Sequence, residues 1–323
     1  MTGFEYYLNK VSNNKIYITE FSLKYAKNFF RNNFKVEQIK IGVELEFYLI
    51  FNQIQKSNYN KFPNTENSQE IYNIEDFIKL GNSDPFINNI GKIKKEQGLN
   101  QLEFSSIAYT DLIKLCQDLD ILKKRLEILA KNLNLEISFQ AFNNFDDCPS
   151  SLQFNISYAD YQESNILKDS PILKQLTYTN LLDKTNQILF FLAPTELDYL
   201  RYSKEVNKRL FSNAKYNSPV NLSVGLNNRT CAIRIPSVKN DEEDRIEYRV
   251  ASSYCDHWLA LSAILLSLSS IDFKENKYQL IYGNAFDENY DYLGEIIQNI
   301  DLSKKNFFNI DNDIYKKFLT VCK

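Results

Sequence analysis

Histidine is almost missing from this chain: one residue in 323. Chemistry that rests on a histidine cluster is therefore excluded. Glycine is scarce as well, with eight residues and none between Gly98 and Gly225. A glycine-rich phosphate cradle cannot be built in that span. The five cysteines are scattered without a CxxC pair. That argues against a disulfide framework or a cysteine-held zinc, and fits a reducing, cytoplasmic setting. Net charge is only -3, which gives no electrostatic reason to expect nucleic acid or an anionic membrane as a partner. The opening "MTGFEYYLNK" has no apolar signal core. The most apolar stretch, "WLALSAILLSLSSI" at 258–271, is too short to span a bilayer and reads as a buried helix.

What is present is a large apolar fraction, 44%, beside 24% charged residues. That balance suits a soluble globular protein with a sizeable core. There is no repeat and no proline-rich linker. A helix is expected from about Thr19 to Phe34, a strand over 37–51 and an exposed loop over 52–70. "KIKKEQGLNQLEFSSI" (92–107) reads as a strand pair folded at "QGLN". A helix capped by Thr110 carries Leu112, Leu115, Leu119, Leu122, Leu126, Leu129 and Leu133 at spacings of three and four, a stripe for core packing. Strand alternation follows over 135–139 and in "SLQFNISY" (151–158). A helix over 180–192, strands near 220–226, 230–236 and 244–250, and a buried helix from about 256 complete the pattern. The fold class implied is α+β: a large, mostly antiparallel sheet with helices packed on one face. Residues 1–36 read as an N-terminal helical extension, and 37–323 as the main domain.

Several strands share one oddity. In "IGVELEFYLIF" (41–51), Val43, Leu45, Phe47 and Leu49 point to one face, and Glu44 and Glu46 to the other. Other strands repeat the split, with Gln101 and Glu103, then Gln153, Asn155 and Ser157, then Arg245, Glu247 and Arg249 on the polar side. For any one strand a solvated face is a sufficient account. Taken together, the glutamates and arginines fit a polar, ion-filled cleft better. Oxygen-rich clusters hold hard cations such as Mg2+ or Mn2+, which bridge to nucleotide phosphates. Arginines nearby neutralise phosphoryl oxygens or clamp a carboxylate.

Five segments, in order, resemble the catalytic domain of glutamine synthetase over roughly residues 37–271. "GVELEFYL" resembles its metal-binding strand, and "EQGLNQLEFS" its E-x5-Q-x-E hairpin, giving Glu96, Gln101 and Glu103. "PSSLQFNIS" stands where the family has G-S-G-M-H-x-x-x-S, and "PTELDYLRY" resembles P-T-x-N-S-Y-x-R, ending at Arg201. "NNRTCAIRIP", "RIEYR" and "WLALSAIL" match N-R-[ST]-x-x-I-R-I-P, R-I-E-x-R and Y-L-A-x-A-x-x-L. The resemblance implies a first divalent-cation site at Glu46, Glu96 and Glu103, and a second at Glu44, Glu247 and Gln153. It implies ATP as cofactor, with Arg229, Arg234 and Arg245 on its phosphates and Ser157 on the nucleotide. Arg201 and Arg249 would hold a carboxylate substrate, and Arg229, Arg234 and Arg249 would serve the phosphoryl transfer. The chemistry implied joins a small-molecule carboxylate to an amine through an acyl phosphate, and a homo-oligomer is a further expectation.

The chain also departs from that pattern. Gln153 replaces the family's histidine, so the second site is expected to be weaker, with a neutral amide oxygen as ligand. The lone His257 falls beside the buried helix and reads as structural. Asn217, in "YNSPV", stands where the family has the glutamate of its active-site flap, and "CPSS" (148–151) replaces an Asn-Gly pair. Only 43 residues precede Glu44, which leaves no room for the family's N-terminal β-grasp domain. The expectation is a ligase with a non-standard acid or amine. The alternative is a catalytically impaired relative that binds nucleotide or a partner in a regulatory role.

Overall fold

The computed structural model describes residues 3–51, 66–215, 218–269, 277–309 and 311–322. Strand alternation in the long run Gln38–Phe51 makes β1 the centre of the sheet. The others are β2 Gly91–Lys95, β3 Gln101–Ser106, β4 Leu135–Ser138, β5 Leu152–Ala159, β6 Val224–Leu226, β7 Ile233–Ile235 and β8 Ile246–Tyr248. Their order is β2-β3-β1-β5-β8-β7-β6, with β4 paired to the end of β1. Every ladder between named strands is antiparallel except β6–β7. The expected α+β class with a large, mostly antiparallel sheet is what the chain adopts.

The helices are α1 Gly3–Asn13, α2 Lys15–Phe34, α3 Glu66–Ser83, α4 Pro85–Ile90, α5 Leu112–Asn132, α6 Pro171–Leu192, α7 Glu196–Tyr199, α8 Lys204–Ser212, α9 His257–Leu268, α10 Ile300–Phe307 and α11 Asp313–Cys322. Val43, Leu45, Phe47 and Leu49 of β1 share one core with the Leu112–Leu126 stripe of α5, with α6 and with α9. Every residue of α9 is buried, as an all-round apolar helix requires. Among the described residues, no helix is long and apolar enough to cross a membrane.

Some element boundaries differ from expectation, each for a local reason. Asp111, not Thr110, caps α5, accepting from the Lys114 amide; a carboxylate is a strong acceptor at a positive helix end. Helix α6 begins nine residues early because Ser170-Pro171 is an N-cap followed by a proline at the first helical position. The expected 52–70 loop lies outside the described residues over 52–65, and from Glu66 onward the chain is helix α3. Ile74 and Phe77, three apart and buried, anchor that helix where the Asn- and Ser-rich stretch suggested a loop.

Helices α1 and α2 pack into the same core as the sheet. Val11, Ile18, Ala26 and Phe30 belong to it, and the Phe30 ring lies 4.8 Å from that of Tyr158 on β5. Thr19 Oγ1 lies 2.9 Å from Ser262 Oγ on α9. Phe30→Ala should therefore cost about 3–5 kcal/mol of stability. Tyr17→Ala, at an exposed position of the same helix, should stay within about 0.5 kcal/mol. Urea unfolding of the two variants checks this, and equal midpoints would show that α2 is not part of the cooperative core.

Candidate active site

Strand register brings the polar residues onto one face. Lys94 of β2 is opposite Glu103 of β3, which is opposite Glu46 of β1. Glu44 lies between Ser105 of β3 and Gln153 of β5. Asn155 of β5 is opposite Glu247 of β8, which is opposite Arg234 of β7. Paired positions in neighbouring strands point the same way. Glu96 enters at the β2–β3 turn, its amide donating to the Gln101 carbonyl at 2.9 Å. Only four residues separate Glu96 from Gln101, one fewer than the family hairpin. The tight turn uses Gly98, where an added Cβ would lie 2.3 Å from the Tyr48 hydroxyl oxygen.

Glu46 is buried and receives three hydrogen bonds. The Ser151 amide donates to Oε2 at 2.7 Å, the Ser151 hydroxyl to Oε2 at 2.8 Å, and Gln153 Nε2 to Oε1 at 2.9 Å. Burial nevertheless pushes its carboxyl up to about 8, with Glu96 and Glu103 adding to the push. Burial, Glu103 and Glu247 likewise push Glu44 up, against a 3.2 Å bond from Asn155 Nδ2. Glu247 behaves oppositely. Burial favours its neutral form, but Arg249 and Arg234 outweigh that and hold the carboxyl below its ordinary value. Arg234 Nη1 donates to Glu247 Oε2 at 2.8 Å, and Arg249 Nη1 donates to Oε1.

The second expected cation position departs from the sequence reading. Gln153 does not offer its amide oxygen to a cation between Glu44 and Glu247. That oxygen accepts from Arg249 Nη1 at 2.7 Å, while its nitrogen serves Glu46. At the first position Glu96 and Glu103 both crowd Glu46 with like charge, which a divalent ion would relieve. Among the described residues, no group of three carboxylate, histidine or cysteine side chains is gathered as a metal cage. Lys94 Nζ lies 2.9 Å from Glu103 Oε1, and Ser105 Oγ donates to the same oxygen. Burial works against the Lys94 charge, but Glu103, then Glu44 and Glu96, keep the ammonium above its ordinary value.

Two spaces that share Glu96 and Arg229 line this face. The outer cleft, about 460 Å³, is bounded by Glu44, Glu96 and Glu103 and by Lys94, Arg229, Arg234 and Arg245. Arg245 Nε donates to Asn155 Oδ1 at 3.0 Å. The inner pocket, with about 20 Å³ of space, or room for roughly one water molecule, meets Arg201, Arg229, Arg249, Gln153 and the 148–151 loop. Arg201 was expected to clamp a substrate carboxylate. Its Nη1 instead donates to the Val250 carbonyl at 2.8 Å and its Nη2 to the Arg249 carbonyl at 3.4 Å. The Nε atoms of Arg201 and Arg249 are buried without a partner. Ser157 is on the same face as Gln153 and Asn155, paired with Lys40, but borders neither space.

His257 is structural, with Nε2 3.0 Å from the Cys116 carbonyl oxygen. Asn217 lies outside the described residues. Sequence reasoning missed the roles of Ser151, Lys94 and Asn155. The alternation of "GKIKKE" opposite the Glu103 strand was a signal for Lys94. Nothing in the sequence marked Ser151, whose contact with Glu46 depends on how the chain enters β5.

A large, mostly antiparallel sheet, charged on one face and packed with helices on the other, defines the class of fold. The model of the glutamine synthetase catalytic domain matches residues 24–290, and the chain belongs to that family. Gamma-glutamylputrescine synthetase PuuA of Escherichia coli (strain K12) is 25% identical over 295 residues, 82% of this chain and 59% of that protein. The chain thus spans less than two thirds of the length of that relative. Glutamine synthetase of Pasteurella multocida (strain Pm70) is 37% identical over 86 residues, 26% of this chain and 17% of that one. Among solved structures, ligand-free GmaS superposes with a TM-score of 0.68 at 16% identity, covering 93% of this chain and 70% of that one. Plasmodium falciparum glutamine synthetase gives 0.65 at 15%, covering 93% and 74%. At such identities the structural likeness shows the fold alone.

Two outcomes follow from the electrostatics. The Glu46 carboxyl, raised to about 8, favours the metal-free fold while protonated. That contribution is complete below about pH 4.5 and is lost as the pH rises through about 8. Mn2+ affinity should therefore increase with pH, and binding at pH 7 should release about one proton. Calorimetry in two buffers of different ionisation enthalpy reads this directly; no release at pH 7 would show Glu46 already ionised. Lys94→Met should tighten Mn2+ binding by about three- to tenfold, a modest gain because the ammonium is half exposed. Weaker binding in that variant would mean that Lys94 helps to build the site.

Proposed function

We propose that the chain is an ATP-dependent ligase that joins a carboxylic acid to an amine through an acyl phosphate. The single observation that carries this is the gathering of Glu44, Glu46, Glu103 and Glu247 with Arg234 on one sheet face, in a chain of this family. A carboxylate oxygen attacks the γ-phosphorus of ATP and ADP leaves. The amine nitrogen then attacks the acyl carbon and phosphate leaves. Glu46, Glu96 and Glu103 would hold Mg2+ or Mn2+, which supplies positive charge beside the transferring phosphoryl group. Arg229, Arg234 and Arg245, which border the outer cleft, would bind the phosphates. The unpartnered Nε edges of Arg201 and Arg249 would hold the acid.

For the second substrate, an organic primary amine is favoured over ammonium. Ammonium is small and must be caught and deprotonated by acids, and Asn217 cannot accept a proton. A larger amine gains binding energy from contacts away from the reacting nitrogen. The relative named for γ-glutamylputrescine supports the same direction. Phosphate release from ATP, with glutamate as acid and a panel of amines including ammonium, tests the proposal. Turnover should be faster with an amino acid or polyamine than with ammonium. Preference for ammonium over every organic amine would overturn the choice of acceptor. Silence across the panel, with ATP still bound, would favour the regulatory reading.

A further inference from the structure

We infer that the two guanidinium groups of Arg234 and Arg249 take the place of a second divalent cation, so that the cleft holds one metal ion. The inference rests on the proposed cation site at Glu46, Glu96 and Glu103 and adds its stoichiometry. The position in question lies between Glu44, Gln153 and Glu247, which share the sheet face through the register of β1, β5 and β8. A second ion there needs oxygen atoms not already engaged by positive charge. Each oxygen of Glu247 accepts from a guanidinium, one from Arg234 and one from Arg249. The amide oxygen of Gln153 is taken by Arg249. The amide cannot simply turn round, because its nitrogen already donates to Glu46 Oε1 at 2.9 Å. Turning it would set that donor against Arg249 and leave Glu46 Oε1 without its donor. Only Glu44 remains, held by one 3.2 Å bond from Asn155.

Charge points the same way. Glu44 and Glu247 carry two negative charges, and Arg234 and Arg249 carry two positive charges, the charge of one divalent ion. An ion brought to Glu247 would face both guanidiniums at short range in a buried setting, where like charges repel strongly. Moving Arg249 aside would strand a guanidinium that is only 7% exposed and already has one unpartnered nitrogen. The arginine pair therefore belongs to the resting site as a fixed counter-charge to Glu247.

Titration of the nucleotide-free protein with Mn2+, read by calorimetry and by electron paramagnetic resonance, decides the matter. One ion per chain is expected, without the spin coupling of a close pair. Glu103→Gln should weaken that ion at least a hundredfold, whereas Glu44→Gln and Gln153→His should each leave the count at one. The double variant Gln153→His, Arg249→Met should bind two. Two ions on the unaltered protein with affinities within tenfold, one of them lost in Glu44→Gln, would overturn the inference and leave the first site standing. A single ion lost in Glu44→Gln but kept in Glu103→Gln would overturn it as well. No ion on either the unaltered protein or the double variant would overturn the inference together with the cation site beneath it. The unaltered protein and the single carboxylate variants suffice if the double variant does not fold.

Discussion

Glu247 is wholly buried, and the polar face is organised around keeping it ionised. An unpaired buried carboxylate costs several kcal/mol, and removing one partner of such a pair about 3–5 kcal/mol. Arg234 from β7 and Arg249 just beyond β8 supply the partners. Arg249 then reaches Gln153 on β5, Gln153 reaches Glu46 on β1, and Glu46 is held by Ser151 at the entry to β5. One line of hydrogen bonds thus crosses four strands. Each side chain in it satisfies two neighbours, so none can move without unpairing another.

That arrangement is affordable because the sheet has two unlike faces. Alternation along β1 sends Val43, Leu45, Phe47 and Leu49 into a core shared with α2, α5, α6 and α9. The same alternation sends Glu44 and Glu46 to the other side. Apolar burial on one face stabilises the fold at about 25 cal/mol per Å² and offsets carboxylates held closer than they would choose. The upward push on the Glu44 and Glu46 carboxyls reflects that frustration. Crowded like charges of this kind are characteristic of functional sites.

The two spaces on the polar face differ in what they could accept. The outer cleft is roomy and rimmed by Lys94, Arg229, Arg234 and Arg245, a setting for phosphates. The inner pocket is small and is lined by Arg201 and Arg249, each with an unpartnered Nε atom. Glu96 and Arg229 border both. On the ligase reading, the phosphoryl group would pass between acid and nucleotide across those residues.

The sequence by itself determined the two-faced strands, the leucine stripe of α5, the buried helix α9 and the family. These rest on period and on short runs of neighbouring residues, which a linear reading sees. Strand alternation also assigned Glu44, Glu46, Glu103, Arg245, Glu247 and Arg249 to one polar face before any pairing was known, and the family resemblance added Glu96, Arg201, Arg229 and Arg234. Partnership is another matter, since register joins residues a hundred positions apart. Only the tertiary structure decided that Gln153 turns its oxygen to Arg249 and not toward Glu44, that Ser151 serves Glu46, and that Lys94 sits on Glu103. Only it showed Arg201 spending its Nη atoms on backbone carbonyls. A guanidinium or an amide has several possible partners of similar strength, and which it takes depends on the distances the packed strands impose.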